Sequence, residues 1–275
     1  MQRADDTVAV GSDPSWQRYA RGMAHREARL YGIPMSHPVI AVRGMLERKR
    51  IPYRYVELLA GAHPPTLWAL GFRRGTVPAL RLPDGRRAQG SLAIAQALDR
   101  AVPEPPLYPL DREARSRAQG AERWGEAVLQ PVPRRLIRWG LRNVQSQRRW
   151  FADVASPLPA PGAMGMLLAP VAAVFARQVG ATDVQIKRDL AGLPALLDEV
   201  DRLLADGVIG GDQPGAADFQ IASSVRMLLA MQDVGRLVAG RPSETFALAV
   251  FPEHQPIPAA LPPHWIPLLS EQSSG

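Results

Sequence analysis

Apolar positions along the chain change their rhythm near Asp111. Before it, short runs rich in β-branched and aromatic residues alternate with helical patterns; after it, only helical spacing remains. Leu30-Tyr31 closes a run that reads as a strand. Val39, Val42, Met45 and Leu46 then fall at three- and four-residue spacings, predicting a helix over Val39 to Arg50. Ile51-Pro52-Tyr53-Arg54-Tyr55-Val56-Glu57 predicts a second strand after a proline break, and Pro64 to Leu70 a helical connection. Residues 76 to 99, TVPALRLPDGRRAQGSLAIAQALD, are the richest stretch. Pro78 has no N–H and is tolerated only as the first residue of a strand, so a strand begins there. Asp84-Gly85 fits a tight hairpin turn. Ser91 fits the N-cap of an alanine-rich helix.

In the second half, Ile186, Leu190, Leu193, Leu197, Val200 and Leu204 alternate four- and three-residue steps, the spacing of a buried helix face. GVIGGDQPGAADFQIA follows, in which Gly215 and Asp218 open a further helix; glycine is an acceptable N-cap. Pro131 and Pro133 break the first long helix of this half. Residues 154 to 176 carry no charge, but Pro157, Pro159, Pro161 and Pro170 interrupt the run, leaving too short a helix to span a bilayer. From Phe251 to Pro267 there are six prolines, which exclude regular helix; this tail is expected to wrap the helical half with Trp265 as an anchor.

The order strand, helix, strand, helical connection, strand, strand, helix resembles the N-terminal half of a cytosolic glutathione transferase. LYGIPMSHPVIAV is most similar to the serine-type (theta-like) subgroup, where a serine opens the first helix in a Ser-X-Pro context. The late helix start resembles the family's Ser/Thr-x-x-Asp capping box, with Gly215 in place of the hydroxyl residue. The resemblance runs from Ala28 to Met231 and implies an α/β thioredoxin-like N-terminal domain followed by an all-α C-terminal domain. The layout expected is an N-terminal extension (1–26, with Met23 as an alternative start), a thioredoxin-like domain (27–103), a linker (104–110, within VPEPPLYPL), a helical domain (111–250) and a proline-rich tail (251–275).

Composition narrows the chemistry. With no cysteine in 275 residues there is no disulfide, thiol nucleophile or thiolate metal site, and the cysteine-dependent relatives are excluded. Any reactive sulfur arrives with a substrate. The formal charge is +7, and Lys49 and Lys187 are the only lysines. A basic surface attracts anions, and glutathione is one. Arg134, Arg138 and Arg142 share a helix face near Trp139; a solvated face is expected, with no nucleic-acid signature beside it. The opening residues lack a signal-peptide core, so a cytoplasmic protein is expected, without a membrane partner.

The resemblance also assigns roles. A free cysteine thiol titrates at about 8.5. A hydroxyl at the positive end of a helix favours thiolate, and Ser36, before Pro38, has that place. Ser36 is therefore catalytic, or an N-cap alone. Tyr31 is the other hydroxyl, as catalyst or packing residue. His37 is a base, a ligand contact, or an exposed first-turn side chain. Glutathione would pair with the main chain of Val77 before a cis Pro78, with its γ-glutamyl carboxylate on Ser91 and the start of that helix. The residue before this serine is normally Glu, Asp or Gln; here it is Gly90, with Gln89 one place earlier as a candidate substitute. Arg73 or Arg74 would hold the glycyl carboxylate. Trp124 and Gln130 would line the pocket of a small apolar electrophile. The function implied is a homodimeric, detoxifying glutathione transferase with glutathione as co-substrate and no metal. The alternative is a non-catalytic transferase-like scaffold.

Overall fold

The computed structural model describes residues 27–155 and 161–266. The N-terminal extension, residues 156–160 near the start of the uncharged stretch and the last residues of the tail lie outside the described residues. Four strands, β1 (Ala28–Gly32), β2 (Tyr53–Glu57), β3 (Ala79–Arg81) and β4 (Arg87–Gln89), form one sheet in the order β2-β1-β3-β4. β1 and β2 are parallel, and β3 is antiparallel to both β1 and β4. Parallel neighbours need a crossover, which α1 (His37–Arg48) supplies. α2 (His63–Ala69) precedes β3, and α3 (Ser91–Ala101) follows β4. The predicted helix over Val39 to Arg50 thus starts two residues earlier and ends at Arg48, because Arg50 turns to φ 52°.

Alternation along β1 sends neighbouring side chains to opposite faces. Leu30 joins Val42, Met45, Leu46, Leu80, Ile94 and Leu98 under α1 and α3. Tyr31 joins Leu58, Leu67, Phe72 and Ala79 on the α2 side. Both faces are therefore covered. Asp84-Gly85 makes the predicted hairpin turn, with Gly85 at φ 88° and the Leu82 N–H donating to the Arg86 carbonyl at 2.8 Å.

The remainder is helical: α4 (Arg112–Trp124), a π turn (Gly125–Leu129), α5 (Pro131–Asn143), α6 (Gln145–Ala155), α7 (Pro161–Gln178), α8 (Asp183–Ala205), α9 (Ala216–Ala230) and α10 (Pro242–Val250). Pro131 and Pro133 fall in the first turn of α5, where a missing N–H costs no helical bond. In α8 the buried stripe is the one spacing predicts up to Val200, after which Leu203 is buried and Leu204, partly buried, packs against the same core. α9 is buried almost all round, as the central helix of the bundle must be. No helix among the described residues is long and apolar enough to cross a membrane.

Two contacts lock the helical half to the sheet. Gly44 lets α1 approach Phe219 of α9 so closely that a Cβ there would lie 2.6 Å from its ring. At the head of α9, the Ala216 N–H donates to the Leu107 carbonyl at 2.8 Å. A Cβ on Gly215 would stand 2.7 Å from that same oxygen, so the linker demands the glycine rather than merely tolerating it. Asp218 completes the cap, accepting from Gly215 N at 2.8 Å and Gly210 N at 2.6 Å.

Lys49 does not contribute to the basic surface at all. Its side chain is fully buried and donates to Asp99 at 2.8 Å and to the Val102 carbonyl at 2.6 Å. Asp99 also accepts from the Leu107 N–H at 2.9 Å and from Arg115 at 3.2 Å. The tail returns across the bundle: Ile257 bridges Met231, and Trp265 packs 5.2 Å from Trp139 with Lys187 4.7 Å over its ring.

Candidate active site at the end of the sheet

Register brings the predicted residues to one place. Tyr31 pairs with Ala79, and Ala79 with Gln89, so the end of β1, the start of β3 and the end of β4 share one edge of the sheet. Ser36 follows β1, Val77-Pro78 precedes β3, and Gly90-Ser91 follows β4. The Val77–Pro78 peptide is cis, and the Pro78 carbonyl accepts from Gly90 N at 2.9 Å. Among the described residues no hydrogen bond engages the main chain of Val77.

Ser36 is the N-cap residue of α1, with extended backbone and the neighbouring Met35 at φ 62°. Its hydroxyl makes no capping bond and the residue is half-exposed. Tyr31 is 4% exposed and meets Phe72 edge-to-face at 5.6 Å, on the α2 face of the sheet. Its placement is that of a packing residue.

Two expectations are corrected here. Ser91 is not an N-cap: Gly90, at φ 89°, holds that position and Ser91 opens the helix, 1% exposed, with its hydroxyl unpartnered. What Ser91 offers outward is backbone N–H at a helix start. Gln89, the candidate substitute for the missing acidic residue, has its amide engaged with the loop before β3. Its Oε1 accepts from Arg74 N at 2.9 Å, and its Nε2 donates to the carbonyls of Arg74 and Thr76. That clamp fixes the loop that carries the exposed Arg73 and Arg74. His37, second, is not an exposed first-turn side chain: it is 3% exposed.

The helical half closes the same edge. Trp124 ends α4, and the π turn that follows inserts one extra residue per turn, which rotates the next side chains. Gly125 lies so close to Ile221 of α9 that a Cβ would sit 2.9 Å from it. Glu126 is thereby carried over the start of α3; its Oε1 is 3.9 Å from where a Cβ on Gly90 would be. Sequence spacing gave no hint of this carboxylate. Gln130 is 4% exposed, and its side-chain oxygen accepts from Arg134. Trp124 packs with the helical core and lines a groove of about 440 Å³ with Arg117, Arg202 and Leu203, between α4 and α8.

The electrostatics of this region are set by burial. His37 is held well below the usual imidazole range, first by burial, then by the charge on Arg134. Its Nε2 has no partner among the described residues. His63 is lowered to about 4 by burial and by Arg138. Burial likewise lowers Arg134, and lowers Arg138 to about 10. The expected solvated arginine face is therefore corrected for two of its three members: Arg134 and Arg138 are half-buried, and only Arg142 is exposed. Deeper in, Glu122 is 1% exposed and pushed up to about 7 by burial, while its Oε2 accepts from the Tyr108 hydroxyl at 2.8 Å.

Residues 30–106 match the family described as glutathione S-transferase, N-terminal domain. The fold is that of a glutathione transferase. A glutathione S-transferase from Rhodospirillum rubrum superposes over 86% of this chain and 97% of its own, with a TM-score of 0.54 and 19% identity. Poplar glutathione transferase F1 covers 84% of this chain and 94% of its own, with a TM-score of 0.57 at 17% identity. FzlA from C. crescentus covers 87% and 97%, with a TM-score of 0.53 at 17% identity. At such identities the likeness is one of fold. No curated protein matches the chain in sequence.

Proposed function

We propose that the protein is a glutathione transferase that binds reduced glutathione at the β1–β3–β4 edge and delivers its thiolate to a small electrophile. The reading is carried by one juxtaposition: an unpaired main chain at Val77, an open helix start at Gly90–Ser91 and an uncommitted hydroxyl at Ser36 all meet there. An extended tripeptide can add to Val77 as a short antiparallel strand. Its γ-glutamyl carboxylate then lies at the positive end of α3. Glu126, rather than the residue before Ser91, is placed to take the γ-glutamyl ammonium, and the loop clamped by Gln89 holds Arg73 and Arg74 at the glycyl end.

Ser36 is the residue that handles the sulfur. Its hydroxyl donates to the thiolate, and the start of α1 adds the favourable end of a helix dipole. Both effects favour the charged form of a thiol that otherwise titrates at about 8.5. His37 stays neutral beside it and leaves the sulfur's proton to solvent. The electrophile enters from the α5 side, past Gln130.

Calorimetric titration with reduced glutathione, followed by steady-state turnover of an aryl chloride, tests the proposal. Saturable heat and glutathione-dependent chloride release are expected. No heat at millimolar tripeptide would overturn it.

A further inference from the structure

α5 carries Arg134, Arg135 and Arg138 within two turns, and their fates diverge. Arg135 makes two hydrogen bonds to Asp189, at 2.6 and 2.7 Å. Arg134 reaches only the side-chain oxygen of Gln130. Arg138 donates to the Phe175 carbonyl at 3.2 Å and lies 4.9 Å from that ring. Neither meets a carboxylate among the described residues, whereas Arg241 pairs with Asp198 and Asp201 and Lys49 with Asp99. Arg148 and Arg226, also partly buried and without a carboxylate among the described residues, spend their N–H groups on two main-chain carbonyls each. Partly desolvated guanidinium groups without a counter-ion are costly, and Arg134 and Arg138 each retain N–H donors beyond the one they spend.

The pair faces the candidate site. One turn apart on α5, both follow the face of Gln130, which lies against His37. Phe175, under Arg138, stacks on His63 at 5.6 Å. His37 adds a buried, unpartnered Nε2. Among the described residues, Glu126 is the carboxylate whose charge reaches Arg134, without a hydrogen bond to it. The region the electrophile would enter is thus cationic, not the apolar pocket the family resemblance implies.

The geometry points to a second substrate that carries a carboxylate, held by Arg134 and Arg138 with its electrophilic carbon toward Ser36. This assignment rests on the transferase reading. With an aryl chloride, the sulfur electron pair forms the new C–S bond, chloride leaves with the C–Cl pair, and the thiol proton passes to solvent. Charge-assisted bonds to one carboxylate are worth about tenfold or more in kcat/KM.

The probes are 4-chloro-3,5-dinitrobenzoate and its methyl ester, which share a leaving group and differ in charge. When each catalysed rate is divided by the uncatalysed rate of the same substrate, which removes the greater intrinsic reactivity of the ester, the wild-type protein is expected to favour the acid about tenfold or more, and Arg134→Gln/Arg138→Gln to bring that ratio to about one. Arg134→Lys/Arg138→Lys, which keeps the charge, retains part of the preference. Thermal melts confirm that each variant folds. A ratio near one in the wild type, or a ratio untouched by the glutamine pair, overturns the proposal. So does a glutamine pair that loses glutathione affinity with the acid-to-ester ratio unchanged, since the arginines then serve the tripeptide. Calorimetry with unreactive 3,5-dinitrobenzoate, without glutathione, reads the arginines separately. Heat that the glutamine pair abolishes supports the anion site even if glutathione itself fails to bind, and absence of heat from the wild type overturns it.

Discussion

Two helices of the sheet-containing half begin at a serine, and the surroundings of the two serines are opposite. Ser36 occupies the cap position of α1 yet leaves its hydroxyl uncommitted and half-exposed. Ser91 sits inside the first turn of α3, 1% exposed, while Gly90 takes the cap position at φ 89°. Both hydroxyls are free of capping bonds, so capping is not what separates them. Access is. The start of α1 can present a side chain to a ligand, and the start of α3 can present only main chain.

The largest expected consequence is at α1. Ser36→Ala should lower glutathione-dependent kcat/KM by roughly 100-fold, the loss typical of one donor to a developing anion. The melting temperature should hold, because no capping bond is lost. Kinetics and a melt on the same preparation read both. A lowered melting temperature with unchanged turnover would reduce Ser36 to a cap and erase the contrast.

At α3 the corresponding sensitivity lies in the backbone. Gly90→Ala places a Cβ at a φ that L residues rarely adopt, and should cost about 1–3 kcal/mol of stability, measured by urea unfolding. A neutral result would mean the turn can relax, and the main-chain site with it.

Acidification should separate the two ends further. His37, beside Ser36, and His63 and His254 all have lowered pKa values, chiefly through burial. Their protonation favours the unfolded chain, so the stability they allow is present above about 6.5 and lost as pH falls toward the folded value, about 4 for His63. Glu122, raised to about 7, has the opposite sign and loses stability as pH rises through that value. Glu57 and Asp218, also raised by burial, share the sign of Glu122, and the three imidazoles are expected to outweigh them as a net loss of stability between pH 7 and 5. Unfolding at the two pH values checks it, and His63→Asn should flatten the difference.

The smallest effect belongs to Ser91→Ala. Removing a sealed hydroxyl that has no partner should change stability by less than about 0.5 kcal/mol. A loss of several times that would reveal a buried partner and make the two serines more alike than the structure has them.

Most of the architecture was legible because it is written locally. The Val39–Met45–Leu46 spacing, the Asp84-Gly85 turn and the Ile186–Val200 stripe each depend on residues within a few positions of one another. The site was legible only in part. Ser36, Val77-Pro78 and Ser91 were named through the family resemblance, and the strand register brings the elements that carry them to one edge. The loop contacts of Gln89 could not be read, because they join it to carbonyls some fifteen residues back, at Arg74 and Thr76. Glu126 was hidden by the π turn, which shifts the helical phase that spacing assumes. Arg134, Arg135 and Arg138 look alike in sequence, and only Asp189, from another helix, tells the paired one from the others.

The joint at Asp99 has a consequence for the width of the gap above Ser36. One carboxylate gathers a buried ammonium from the end of α1, the amide of Leu107 and a guanidinium of α4, all at the opposite end of α3 from Gly90. The helical half is thereby hinged on α3 as on a fixed arm, and the clearance offered to an incoming molecule is set more than ten residues away from the sulfur it would meet.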